Sequence, residues 1–125
     1  MKMMDLIYGE NPASTLVDFI RFACEHLGIS TVPDIRLIDR HITNNESNSF
    51  AAYSPGHKRI HLYPKHRHIL DVLRSLAHEL VHYRQDLNGE LSQDSGKTGS
   101  PQEDEANSVA GQIMRLYSKK HPELF

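Results

Sequence analysis

Residues 78–82 read His78-Glu79-Leu80-Val81-His82, inside a longer stretch after Pro64 whose apolar residues recur at helical spacing. Ile69, Leu73, Leu76, Leu80 and Leu87 fall on one stripe, widened by Leu70, Val72, Ala77 and Val81. That is the 3.6-residue period of an amphipathic helix. His78 and His82 fall on the opposite, polar half, with Asp71, Ser75 and Gln85. Residues four apart project from one helical face a turn apart, so both imidazoles can reach a single metal ion. Glu79, rotated by about 100° from His78, can approach the open side of that ion. The spacing predicts a helix that holds a metal and keeps a carboxylate ready to take a proton from water.

Around this helix the chain reads as α+β. Residues 14–27 have helical spacing through Leu16, Phe19, Ile20, Ala23 and Leu27, with Ser14 or Thr15 as cap and Gly28 as stop. A short strand is expected at 35–38, entered through Pro33, and a polar loop at 43–49. Two further strands, 50–53 and 59–63, are joined through Ser54-Pro55-Gly56-His57. In the second, Ile60 and Leu62 alternate with Arg59, His61 and Tyr63, the pattern of a sheet with one covered face. Residues 88–100 lack periodicity and read as a mobile connection. A last helix opens at Ser100-Pro101 and runs to about residue 119, burying Ala106, Val109, Ala110, Ile113 and Tyr117. The tail, 121–125, either packs back or frays.

The 125 residues suit one domain, 1–125, able to bury roughly two-thirds of its extended-chain surface. A net charge of −2 argues against a general nucleic-acid or membrane partner. Cys24, the single cysteine, sits in an apolar run and forms no internal disulfide, so a reducing compartment is the simpler expectation. With no apolar signal region near residue 1 and no span of membrane length, the expectation is a cytoplasmic protein without a membrane partner.

A catalytic zinc site uses three protein ligands and keeps a position for water. A third histidine six residues after His82, the metzincin continuation, is absent because that position is Asn88, and Gln85 stands where its glycine would be. The remaining candidates are carboxylates: Glu103 first, then Glu105 and Asp94. On the last helix Glu103 lies on the side of Ala106, Ala110 and Met114, where small alanines would let that helix approach the histidine helix. A competing role exists, because Ser100-Pro101-Gln102-Glu103 has capping-box spacing, in which Glu103 would reach back to the Ser100 amide. Asn107, one turn after Glu103, could hydrogen-bond a ligand histidine.

His78-Glu79-Leu80-Val81-His82 followed by Glu103-x-x-Ala106-Asn107 resembles the gluzincin metallopeptidases. The stretch Ala52-Tyr53-Ser54-Pro55-Gly56-His57-Lys58-Arg59-Ile60-His61-Leu62-Tyr63 before the helix makes the chain look like the minimal ImmA/IrrE-type domains, and less closely like SprT-type domains. The resemblance covers roughly residues 50–118 and implies a minimal zincin-like fold: an N-terminal helix, a small three-stranded sheet, the active helix and a C-terminal ligand helix. It implies a Zn2+-dependent peptidase acting on a peptide or protein substrate, with His78, His82 and Glu103 as ligands, Glu79 as general base and Asn107 supporting a ligand. Asn107 stands where many gluzincins carry aspartate. The strand before the active helix would pair with an extended substrate, here Arg59, Ile60, His61, Leu62 and Tyr63.

A developing oxyanion also needs a donor besides the metal, and Tyr53, Tyr63, Tyr83, His57 and Tyr117 are the candidates. The basic tract of His57, Lys58, Arg59, His61, Lys65, His66, Arg67 and His68 reads first as a solvated strand edge and loop, and second as a site for an acidic peptide or nucleic acid. Two other readings use the same scaffold: a zinc-binding regulatory module without turnover, and a nucleic-acid-associated module. Deformylase-type chemistry would need a cysteine ligand, and Cys24 has no accompanying motif.

Overall fold

The computed structural model describes residues 12–39, 42–43, 48–92 and 99–125. Helix α1 (Pro12–Leu27) is followed by strands β1 (Asp34–Leu37), β2 (Ile42–Thr43), β3 (Asn48–Ser49), β4 (Ala51–Ser54) and β5 (Arg59–Leu62). Helices α2 (Ile69–Leu87) and α3 (Pro101–Lys120) complete the frame, before a 3₁₀ turn at Pro122–Leu124. Among the described residues the architecture is thus α+β, with three α-helices and a small three-stranded mixed sheet.

Helix α1 begins two residues before the expected cap, with proline in its first position, where the missing N–H costs nothing. It ends where expected. Gly28 takes φ +70°, and Ile29 N–H reaches back to Cys24 C=O at 2.9 Å, the closing bond of a Schellman stop. Helix α2 ends the same way, with Gly89 at φ +71° and Glu90 N–H on Gln85 C=O at 2.8 Å. At its start His68 Nδ1 accepts from Leu70 N–H at 3.1 Å, an imidazole serving as N-cap.

The sheet order is β1-β5-β4, with β5 parallel to β1 and antiparallel to β4. Strand β5 therefore occupies the centre, its backbone paired on both sides. This corrects the expectation that residues 59–63 offer an edge to a substrate; the edge nearest α2 in the ladder is β4. In register, Tyr53 faces Ile60 and Ala51 faces Leu62, while Tyr63 N–H is bonded to Phe50 C=O at 2.8 Å. The alternation of an antiparallel pair then turns the backbone groups of Ala51 and Tyr53 away from β5. A two-residue ladder of β2 with β3 lies where a loop was expected at 43–49.

Ile60 and Leu62 of β5 are fully buried against Val72, Leu73, Leu76, Leu80 and Val81 of α2, and Phe19 and Ala23 of α1 close the same core. Each such aliphatic side chain contributes about 1.5–3 kcal/mol by leaving water. Leu87 departs from the expected stripe: it is 51% exposed because the last turn of α2 runs past the core. Helix α3 packs on the polar side of α2, and Ala106 and Ala110 are buried there as the small side chains suggested. The tail packs back, with Leu124 against the core. No helix among the described residues is long and apolar enough to cross a membrane.

Candidate metal centre

The i, i+4 spacing on α2 brings His78 Nε2 and His82 Nε2 to 3.2 Å from one another. Glu103, in the first turn of α3, faces both: Oε1 lies 2.8 Å from His78 Nε2 and Oε2 3.0 Å from His82 Nε2. These three residues form a group able to hold a metal ion, with donor atoms all within 4.8 Å of one another. Zinc bonds of 2.0–2.2 Å in tetrahedral geometry put neighbouring donors about 3.3–3.6 Å apart. The observed separations, 2.8–3.2 Å, are shorter, so the donors need only spread by about half an ångström to take a small dication.

The competition between cap and ligand at Glu103 is resolved by splitting the residue. Its backbone N–H takes the cap, bonding Ser100 Oγ at 3.0 Å, while its carboxylate turns to the histidines. Glu105 is not in the group; its Oε1 instead accepts from Gln85 Nε2 at 2.8 Å. Asp94, the other alternative, lies outside the described residues.

Gln85 is the residue of the candidate site that sequence reasoning missed. It is 1% exposed, and its Nε2 donates both to Glu105 Oε1 and to Gln102 C=O at 3.0 Å. With both amide hydrogens used, its Oε1 faces His82 Nδ1 at 2.8 Å and can only accept. His82 must then carry its proton on Nδ1, which leaves the Nε2 lone pair directed at the site. The signal was available in part, because Gln85 sits three residues after His82 on the same polar face. On the other ligand, the side chain of Asn107 lies beside the His78 ring and favours its protonated form. Burial, above all, lowers the pKa of His78, and the neighbouring His82 adds to this; Glu103 and Asn107 oppose it. The net direction favours the neutral imidazole that a metal requires.

Glu79 lies beside the triad with Oε2 3.9 Å from His78 Nε2. Burial pushes its carboxyl up to about 8, with the Glu103 charge adding to the rise and the backbone N–H of Tyr53 opposing it. The same strand alternation that turns Tyr53 N–H away from β5 thus delivers it to Glu79. A dication a few ångströms away would reverse the balance and favour the carboxylate.

The other expected residues scatter. Tyr53 donates its hydroxyl to Asp86, which also pairs with Lys58 Nζ, so that hydroxyl is held toward the end of α2. Tyr83 donates to Thr31 C=O at 2.8 Å, and Tyr117 to Asp18 Oδ2 at 2.8 Å. Tyr63 is buried and stacks with Phe50 at 6.2 Å between ring centroids. His57 is exposed in the 3₁₀ turn Pro55–His57. Three of the five oxyanion candidates are therefore committed elsewhere through their hydroxyls. Within the basic tract, Lys58 pairs with Asp86, Arg59 with Asp34, Arg67 bonds Ser75, and His68 caps α2. No family model matches this chain, and no match was found among curated proteins or solved structures.

Proposed function

We propose that the chain is a zinc-dependent peptidase with a zincin-like, gluzincin-type site in which His78, His82 and Glu103 hold the ion. The observation that carries this reading is the convergence of two imidazole nitrogens and one carboxylate on a common point, with a second carboxylate, Glu79, beside it. When bound, Zn2+ supplies Lewis-acid polarisation of a carbonyl and lowers the pKa of water.

The rest falls to the protein. Glu79 takes a proton from the water that attacks the carbonyl carbon and passes it to the amine that leaves as the C–N bond breaks. Tyr53 N–H orients that carboxylate, while Gln85 and Asn107 set the histidine rings. An extended substrate would lie along the outer edge of β4, where the backbone of Ala51 and the carbonyl of Tyr53 face away from β5. This moves the substrate strand from residues 59–63 to Ala51–Ser54.

Metal analysis of the purified chain should return a single zinc per chain. Glu79→Gln should keep the metal and lose hydrolysis of unfolded casein by a factor of about 10²–10⁴. Hydrolysis at the unmodified rate by that variant would sink the mechanism.

A further inference from the structure

We infer that Arg67 selects the substrate, by binding a carboxylate carried on the extended peptide about two residues from the bond that is cut; this rests on the peptidase reading above. Arg67 stands just before α2. Its Nη2 donates to Asp71 C=O at 3.1 Å and to Ser75 Oγ at 2.8 Å, and its Cζ lies 4.2 Å over the Phe50 ring. Its Nη1 is shielded from solvent and has no hydrogen-bond partner among the described residues.

Arg36 and Arg59 each reach Asp34, and Lys58 reaches Asp86, whereas Arg67 is held by two neutral oxygens and a ring. The Asp71 carboxylate acts on it only at longer range. Arg67 is half-buried, and its shielded Nη1 lacks the acceptor that a carboxylate would supply. Arginine presents a planar fork matched to that group, and turning it toward a ligand gives up only bonds to neutral acceptors.

Position supplies the other half of the argument. Asp71, Ser75, His78 and His82 follow one another along one face of α2 at helical spacing. At 1.5 Å per residue, Ser75 precedes the midpoint of the two histidines by about 7.5 Å along the axis. An extended peptide covers that in about two residues. Phe50, beneath the guanidinium, leads directly into β4, whose Tyr53 N–H touches Glu79. The arginine, the strand edge and the triad therefore share one side of α2.

The carboxylate has two sources, an aspartate or glutamate side chain or a free C-terminus. The test is cleavage of a random peptide library, offered with free and with amidated C-termini, by the zinc-loaded chain, with cut sites read by mass spectrometry. We expect at least about tenfold enrichment of Asp and Glu over Asn and Gln two residues from the cut, or cuts near the C-terminus that vanish on amidation. Arg67→Ala should lose the preference and still cut neutral peptides; Arg67→Gln, which keeps most of the stem, should do the same, and Arg67→Glu should shift the preference to Lys.

Binding of the enriched acidic peptide and of its amide counterpart to Glu79→Gln, followed by fluorescence anisotropy, should show the same discrimination without turnover. Cutting without acidic preference, or a preference that survives in Arg67→Gln, overturns the inference and leaves the peptidase reading standing. If the zinc-loaded chain cuts no peptide at all, the peptidase reading falls and takes the inference with it.

Discussion

Helix α3 carries a histidine–carboxylate cluster at each end, and the two are built on opposite principles. At its start, Glu103 meets His78 and His82 of α2; at its finish, His121 meets Asp18 of α1 and Glu123. The nitrogen–oxygen distances are similar, 2.8–3.0 Å at one end and 3.1 Å at the other. What differs is where the lone pairs go. His121 turns Nε2 to within 3.1 Å of Asp18 and Nδ1 to Glu123, so each ring nitrogen faces a carboxylate and none faces a second imidazole. Tyr117 donates to the same Asp18, and the whole arrangement fastens the tail to α1. At the other end, Gln85 fixes the outer nitrogen of His82, which leaves Nε2 facing that of His78. Proximity of histidine to acid makes a latch; convergence of unshared pairs makes a place for a metal.

The comparison can be broken at several points. The largest effect should come from removing a donor: His78→Ala or Glu103→Ala should reduce zinc content from one per chain to near zero by elemental analysis, while His121→Ala retains it fully. Equal loss in all three would erase the distinction between the ends. Next, Gln85→Leu should weaken zinc about 10–100-fold in a competitive chelator titration, and Asn107→Ala should act in the same direction. An unchanged affinity for Gln85→Leu would remove the role given to its amide.

A pH titration of the metal-free chain sharpens the contrast further. Glu79 holds its proton up to about 8 in the folded state, against an ordinary value of 4.5. Between those values the folded state binds more protons than the unfolded one, so raising the pH favours unfolding. The melting temperature of the metal-free chain should therefore fall from about pH 4.5 to about pH 8, and Glu79→Gln should flatten that slope. A slope that survives the substitution would assign it to another group. The smallest effect belongs to the latch: Tyr117→Phe should cost about 1 kcal/mol for its lost hydrogen bond, a melting shift of about 4 °C, with zinc affinity unchanged.

Much of this was legible from residue order alone, for identifiable reasons. The limits of α2 and α3 follow from local signals: apolar periodicity from Ile69, Gly89 as a left-handed stop, and Ser100-Pro101 as a start. The histidine pair is a property of one helix and needs nothing else. Glu103 required more, because its two roles compete in sequence and are separated only by the approach of α3 to α2 over Ala106 and Ala110. Gln85 was hidden because its orientation depends on Gln102 and Glu105, which lie 17 and 20 residues away along the chain. The order of the sheet was likewise unreadable. Alternation marks 59–63 as a strand with one covered face, yet only the parallel pairing with β1 shows that it is central. The tyrosines failed for a similar reason, since periodicity says which face a ring takes and not where its hydroxyl ends.

The first turn of α3 has one more consequence. Ser100 fixes the backbone of Glu103 through a contact only three residues long, and Pro101 restricts the chain at the same place. The carboxylate is thus presented from a segment whose conformational freedom is already spent in folding. An ion captured there orders little additional chain, so the entropy lost on binding is small and affinity is gained through pre-organisation. Ser100→Gly would loosen the turn without touching a ligand, raising the entropic cost of capture while leaving the donor set intact.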